Sequence, residues 1–389
     1  MNISIGKEKS SEKLARYVII AIFLAIAFLI CKLFGNVIMY ILGAAIVSLV
    51  GRPLMTLMGK IRIRNKPLPS WLCALVTILL VVSVFLGIFF LVTPVFTGIA
   101  SDISKANLTD SAKTLIKPLR RWNEYLRATF PALGADFKIE NFMFKNFTSF
   151  FDVSKFSNII SGLTSFLASF GVGLFSIIFI AFFFVKDEKL FANIVASLIP
   201  DEYEVQARDS MREIGNLMSR YFSGIVIEML GVAFLDFLGL FLIAKMGVKY
   251  SIGIAFLAGL LNIIPYLGPL MGEALGVILA VIIKYCCASS YGLDVNVVPF
   301  ILIILAIMLC TQLVDNVVYQ PLIYSSSIKA HPLEVFIVLL LGGSFGGILG
   351  MLIAVPVYTV LRVIAIHFFG DAKVVKRLTG APEGDKNKH

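Results

Sequence analysis

Charge is scarce in this chain. Asp, Glu, Lys and Arg make up 15% of its 389 residues, and 59% are hydrophobic. Soluble domains carry about 25% charged and about 45–50% apolar residues. So few charges cannot cover so much apolar surface in water, so lipid has to be the solvent for much of the chain. Histidine is nearly absent, with three in all. The five cysteines (Cys31, Cys73, Cys286, Cys287, Cys310) form no CxxC pair. That excludes a disulfide framework and a thiolate metal site, and leaves the cysteines as small hydrophobes. No GxxxxGK[ST] loop is present, so ATP does not drive the protein directly. Gly342-Gly343-Ser344-Phe345-Gly346 has the letters of a nucleophile elbow but lacks the strand–turn–helix setting that the elbow needs. His331 and His367 flank that segment instead of sharing its depth. No catalytic residue, metal or cofactor is expected. No small-residue cleavage site follows the first apolar run, and Ile30 before Cys31 does not suit a lipoprotein site, so that run is expected to be a retained span.

What charge there is has a sign and a place. The formal net charge is +10. Lys7, Lys9, Lys13 and Arg16 precede the first apolar run, and Arg52, Lys60, Arg62, Arg64 and Lys66 separate the second from the third. Lys373, Lys376, Arg377, Lys386 and Lys388 lie in the tail. Basic loops between apolar runs are the positive-inside signature of a multi-pass membrane protein. No basic-aromatic module of a nucleic-acid-binding type accompanies them, so nucleic acid is not an expected partner.

The fold class is therefore all-α and polytopic, with about eight membrane segments. Tyr17–Cys31 and Leu33–Val50 read as a helical hairpin turning near Lys32–Asn36. The basic loop 51–70 contains Pro53, Pro67 and Pro69 and no acidic residue. Trp71–Val92 is 22 residues without a charge, enough to span a hydrocarbon core of about 30 Å. Charge returns over 96–160, an extracytoplasmic or interfacial insertion, where the aromatic and charged stretch 142–151 suits either the membrane interface or packing on the protein's own helices. Ser161–Val185, Tyr221–Ala244 and Pro299–Val314 span again, with a charged, helical connector over 186–220. Asp315-Asn316 and Gln320-Pro321 mark the end of the last of these. Tyr250–Ile283 holds 34 residues and one charge, about 51 Å as a helix. That is too long for one span and too short for two. Its interruption at Asn262–Pro269, with Pro265 and Pro269 both unable to donate, predicts a broken or re-entrant helix pair. Val335–Leu361, charge-free over 27 residues, is a second broken pair or one tilted span.

Loop charge places 51–70, 186–220 and both termini in the cytoplasm and 96–160 outside. The sides of 284–298 and 318–333 stay open. The expected divisions are 1–95, N-terminal membrane segments; 96–160, the insertion; 161–370, a transport core; and 371–389, a cytoplasmic tail.

Two groups of residues stand out. Gly268, Gly272 and Gly276, like Gly342, Gly346 and Gly350, recur every four residues, which lines one helix face and lets backbones approach closely. Packing alone explains such spacing; Gly/Pro-interrupted apolar segments also mark binding sites at broken helices in transporters. The second group is polar and intramembrane. Glu228 and Asp236 are eight apart, on nearly one face, Glu273 follows the break, and Gln312, Asp315, Asn316 and Gln320 lie at the end of 299–314. A carboxylate in hydrocarbon costs a few kcal/mol and so faces a partner or a cavity. These groups fit an ion or proton path or an interfacial role, and Asp315 can equally be a solvated helix-end carboxylate.

Leu261-Asn262-Ile263-Ile264-Pro265-Tyr266-Leu267-Gly268-Pro269 resembles the central signature of the AI-2E (autoinducer-2 exporter) family. Asp315-Asn316, Gln320-Pro321, His331-Pro332, then Leu341 to Gly350 and Ala354-Val355-Pro356 follow in that family's order. The resemblance is specific over roughly 215–368 and rests only on segment lengths and the basic loop over 14–95. Ala330 stands where the family often has leucine. The resemblance implies about eight helices, a homo-oligomer in the plasma membrane (a pentamer among its forms) and export of small molecules. Some members are described as exporters of autoinducer-2 and others as sodium/proton antiporters.

The substrate or ion path is thus expected to involve Asn262, Pro265, Tyr266, Gly268, Pro269 and Glu273, with Glu228, Asp236, Gln312, Asp315, Asn316 and Gln320. A secondary transporter exporting a small polar metabolite on an ion gradient is the first reading. A sodium/proton antiporter and a non-transporting membrane scaffold are the alternatives.

Overall fold

The structure, a computed structural model, describes residues 32–63, 66–105, 173–187, 199–287, 292–327 and 331–369, with isolated positions in 18–29 and 193–197. Most of the first apolar run, the insertion from 106 onward, the start of the 161–185 span and the tail lie outside the described residues.

Among the described residues the protein is helical, and six helices are long and apolar enough to cross a membrane. The helix α1 (Gly35–Met58) is followed by a two-residue antiparallel ribbon, β1 (Arg62–Ile63) with β2 (Lys66–Pro67), and by α2 (Ser70–Lys105). The short α3 (Gly173–Lys186) precedes a 3-10 turn, Asp201–Tyr203, and the long α4 (Glu204–Leu238). Then come α5 (Gly247–Leu261), α6 (Leu267–Cys286), α7 (Val297–Val314), α8 (Gln320–Ser327) and α9 (Pro332–Phe369). Two π-helical segments interrupt this order. Gly239–Ile243 continues α4, and Asp315–Tyr319 joins α7 to α8.

Several elements run past the ends expected from sequence. The helix α1 continues through Pro53 into the basic loop. Proline 53 removes the N–H that would reach the Leu49 carbonyl four residues back. The Ser219 hydroxyl, from α4, donates to that carbonyl at 2.9 Å instead. The helix α2 passes Val92 and Pro94 and ends at Lys105. The expected 186–220 connector and the span after it form one helix from Glu204 on, so the polar half of α4 extends the membrane helix without a turn. Asp315-Asn316 does not end α7: the chain widens into π winding and carries on to Ser327.

The break in the 250–283 segment is confined to 262–266, where Tyr266 takes φ +64. Pro269 is not part of the break. It sits in the first turn of α6, where a missing N–H costs nothing. The arms α5 and α6 fold back on each other. A Cβ on Gly268 would meet the Leu261 backbone and one on Gly272 the Ala258 backbone, while one on Gly276 would strike Met308 of α7 first and the Ile254 side chain of α5 after it. Residue numbers rising along one arm as they fall along the other define an antiparallel hairpin. The 335–361 segment also turns back, at Gly347 (φ +57, ψ −138), not at Pro356, which lies inside the second arm. Its arms are Leu333–Ile348 and Gly350–Phe369. Gly342 and Gly350 are in backbone contact across it, and Tyr358 donates to Glu334 at its open end.

The helix α4 is the axis, with α1, α5, α8 and α9 packed on it. One core joins α5, α6 and α7 through Ile254, Leu279, Ile283, Phe300 and Ile304, and another joins α1, α2 and α3 through Ala44, Ala74, Ile78, Ile177 and Ala181. The hairpin of α9 sits on α4 through Tyr221, Ile225, Val335, Leu339 and Val355. The outward faces are apolar as well, with Phe175, Leu270 and Val317 mostly exposed. Such a surface suits lipid as its solvent. At one end, Lys249 and Tyr250 both donate to Asp102, at 2.5 and 2.9 Å, and so tie α5 to the end of α2.

Candidate functional site

The polar groups inside the bundle come from three directions. The inward stripe of α4 supplies Tyr221, Glu228 and Asp236 at seven- and eight-residue spacing, so all three return to nearly one face. The α7–π–α8 rod runs antiparallel to it. Glycines on α4 make the approach close: a Cβ on Gly224 would strike Ile323, one on Gly231 Tyr319, and one on Gly239 Ile307. This packing brings Thr311 and Asp315 onto the carboxylates of α4. The turn between α5 and α6 then places Asn262 against the same stripe.

Two constellations result. In the first, Glu228 and Asp315 lie within electrostatic reach of each other, and both are enclosed, at 3% and 0% exposure. Asn262 Nδ2 donates to Glu228 Oε1 at 3.5 Å. Gln320 Nε2 donates to Asp315 Oδ2 at 2.8 Å, and Gln312 Nε2 reaches the same oxygen at 3.3 Å and Asn316 Oδ1 at 3.3 Å. Tyr221 lies within electrostatic reach of Glu228. The expectation that Asp315 could be a solvated helix-end carboxylate is overturned, because it is the most enclosed carboxylate of the group. Winding past it into the π segment keeps it inside the bundle.

In the second constellation Thr311 of the facing rod and Glu273, half-buried on α6, both lie within reach of Asp236 and act on it electrostatically. Asp236 is buried, and its Oδ1 has no hydrogen-bond partner among the described residues. An enclosed carboxylate oxygen left without a donor costs about 1–3 kcal/mol or more.

The other singled-out residues have different surroundings. Tyr266 is 43% exposed and rests edge-on against Phe336 of the second hairpin, centroids 6.5 Å apart. Pro265 forms the turn itself. Gly268, Gly272 and Gly276 line the inside of the first hairpin, and Gly342 and Gly350 the inside of the second. Gly346 stands apart from both groups, with nothing within 4 Å of the place a Cβ would take. Thr311 and Tyr221 escape a reading by charge alone. Their helical offsets to Asp315 (four residues) and Glu228 (seven) are the signal that would have found them. No group of three metal-ligating side chains occurs among the described residues. A charged cleft of about 420 Å³ is lined by Asp209, Arg212, Glu213, Asn216, Arg220 and His367, none of them a member of the two constellations.

Comparison with known proteins agrees with a membrane carrier. The chain is 28% identical over 329 residues to a protein of Bacillus subtilis provisionally named transport protein YueF, covering 82% of each chain. It is 27% identical over 227 residues to the provisionally named transport protein YrrI of the same organism, covering 57% of this chain and 58% of that one. A provisionally named permease of Escherichia coli, PerM, is 25% identical over 210 residues, covering 54% of this chain and 55% of its own. The sequence profile described as AI-2E family transporter matches residues 17–370.

Proposed function

The chain belongs to the AI-2E transporter family, and on that premise we propose that it is a secondary transporter exporting a small polar metabolite or signal on an ion gradient. Enclosure of Glu228, Asp236 and Asp315 inside an apolar bundle carries this reading. A membrane scaffold would gain nothing from carboxylates that cost a few kcal/mol each at that depth. A transporter uses such groups to load and release an ion. Hairpins α5–α6 and α9 act as re-entrant pairs that bring the count of membrane segments to about eight. Asn262, Pro265, Tyr266, Gly268 and Pro269 border the path at the first of them, with Glu273 beyond the turn and Gln312, Asn316 and Gln320 on the facing rod. The working unit is a homo-oligomer in the plasma membrane.

A sodium/proton antiporter is the second reading. The observation that favours it is the electrostatic link between Asp236 and Glu273. Both readings need an occupancy change at a carboxylate, and reconstituted vesicles test that. Asp236→Asn or Glu273→Gln keeps the shape and removes the exchangeable charge. Each is expected to lower gradient-driven movement about tenfold or more, a change worth roughly 1.4 kcal/mol at the barrier, with assembly intact. Parent-like response to the gradient in both variants and in the double variant would leave a scaffold or an uncoupled facilitator as the better account.

The orientation of the chain, with termini inside and 96–160 outside, has its own check. In a cysteine-free background, an impermeant thiol reagent added outside should label Tyr125→Cys and spare Lys60→Cys. The reverse pattern would invert the topology.

A further inference from the structure

We infer that the Glu228–Asp315 pair is a single-proton site, in which two enclosed carboxyl groups share one proton that the transporter loads and releases. The inference rests on the transporter reading above and adds this pair to Asp236 and Glu273 as a second place of proton exchange.

The argument begins with hydrogen counting. Asp315 is fully enclosed, and two side-chain amides, Gln320 and Gln312, aim their hydrogens at one of its oxygens, Oδ2. The other oxygen, Oδ1, is enclosed and receives no N–H or O–H from any described residue. What remains against Asp315 is the carboxyl group of Glu228. An ionised carboxyl only accepts, so two carboxyl groups bond to each other only when one carries a proton. Like charges held side by side away from water cannot both persist, and such pairs share one proton between them. The donor that Asp315 lacks is therefore the proton of the pair itself.

The surroundings fit one proton and one residual negative charge. Asn262 donates to Glu228, and the two glutamines donate to Asp315. The remaining titratable group close to Glu228 is Tyr221, on the same helix. Each carboxyl thus keeps an amide donor whichever of the two holds the proton, so the proton can change sides within the pair without stranding a charge. The three elements that meet here are α4, the rod carrying Asp315 and the tip of the α5–α6 hairpin. Movement of the hairpin would withdraw the Asn262 amide from Glu228, so proton occupancy and hairpin position act on each other.

Infrared spectroscopy of the full chain in lipid vesicles tests this without a substrate. A protonated carboxyl has a C=O stretch distinct from that of a carboxylate, and it shifts in D2O. The parent is expected to show one such band from this site at neutral pH. Glu228→Gln and Asp315→Asn should each remove the same band completely, and the double variant should remove no more, because one proton serves both groups. Asp236→Asn should leave it in place. Gln320→Ala, which keeps both carboxyl groups, should move the band without abolishing it, and so preserves a readout if the charge-removing variants do not fold. A band untouched by Glu228→Gln and Asp315→Asn, or unmoved by Gln320→Ala, would overturn the inference, as would additive losses. If the band behaves as expected while the parent ignores imposed gradients, the proton site stands and the transporter reading falls.

Discussion

Gly268→Leu is expected to abolish transport while the protein still inserts. A Cβ at Gly268 would lie 2.0 Å from the Leu261 carbonyl oxygen and 2.9 Å from the Asn262 Cα. Both are backbone atoms of the turn, so no rotamer change relieves the clash. The arms must separate at the tip, and the nearest side chain to lose its place is Asn262, which donates to Glu228. Insertion depends on the hydropathy of the two arms, which one added leucine does not lower. The rate per inserted molecule in vesicles should fall below about one hundredth of the parent value, roughly 2.7 kcal/mol or more at the barrier. Pro265→Ala, which restores a donor within the turn, should lower the rate in the same direction. Gly346→Leu provides the control: nothing lies within 4 Å of its Cβ, and its rate should match the parent. Parent-like transport by Gly268→Leu would mean that close packing at this turn has no part in the cycle.

Gly350→Val should have the second-largest effect, on stability first and on transport through it. A Cβ there would meet the Gly342 carbonyl oxygen at 2.0 Å, and Gly342 in turn lies against the Gly350 backbone and Ala354. The arms of this hairpin are also held at the open end, where Tyr358 donates to Glu334 and Arg362 stands 3.9 Å from the same carboxylate. Valine therefore forces the arms apart at mid-length while the far end is pinned. Overpacking of this kind costs about 1–3 kcal/mol, with more expected where backbone opposes backbone. Thermal unfolding in detergent should show a lowered midpoint relative to Gly346→Leu. An unchanged midpoint would show that the two arms are not packed as described.

Composition and hydropathy sufficed for the class of the protein, because a shortage of charge leaves no other solvent for the apolar surface. They also located the first hairpin, since Pro265 cannot donate and lies inside an apolar run too long for one span. Proline was a poorer guide elsewhere. Pro53, Pro94 and Pro356 all lie inside helices, and at Pro53 the reason is a hydroxyl from a distant helix. Such compensation cannot be read from the proline's own neighbours. The turn of the second hairpin falls at Gly347, which lies among other glycines and has no proline beside it to single it out. The site was legible as a list but not as a set. The charge-poor background made Glu228, Asp236, Glu273 and Asp315 conspicuous. Which of them meet depends on the close, antiparallel approach of α4 and the α7–α8 rod, and that is a tertiary fact. Both π segments were invisible, because an extra residue in a turn leaves no mark on composition or periodicity over five residues.

Those two π segments bear on how the interior could be re-aimed. Each holds one residue more than an α-helical turn would, and single-turn π segments favour functional sites. Asp236 stands one turn before the first, Gly239–Ile243, and Asp315 opens the second. An α-helix turns by about 100° and rises about 1.5 Å per residue. Letting the extra residue migrate along α7–α8 would therefore rotate Asp315 relative to Gln320 by about that angle, with the helical ladder intact on either side. The facing helix carries the same slack just beyond Asp236. A carboxylate could then be presented to one neighbour or another by passing register along the rod, with neither helix bent nor melted.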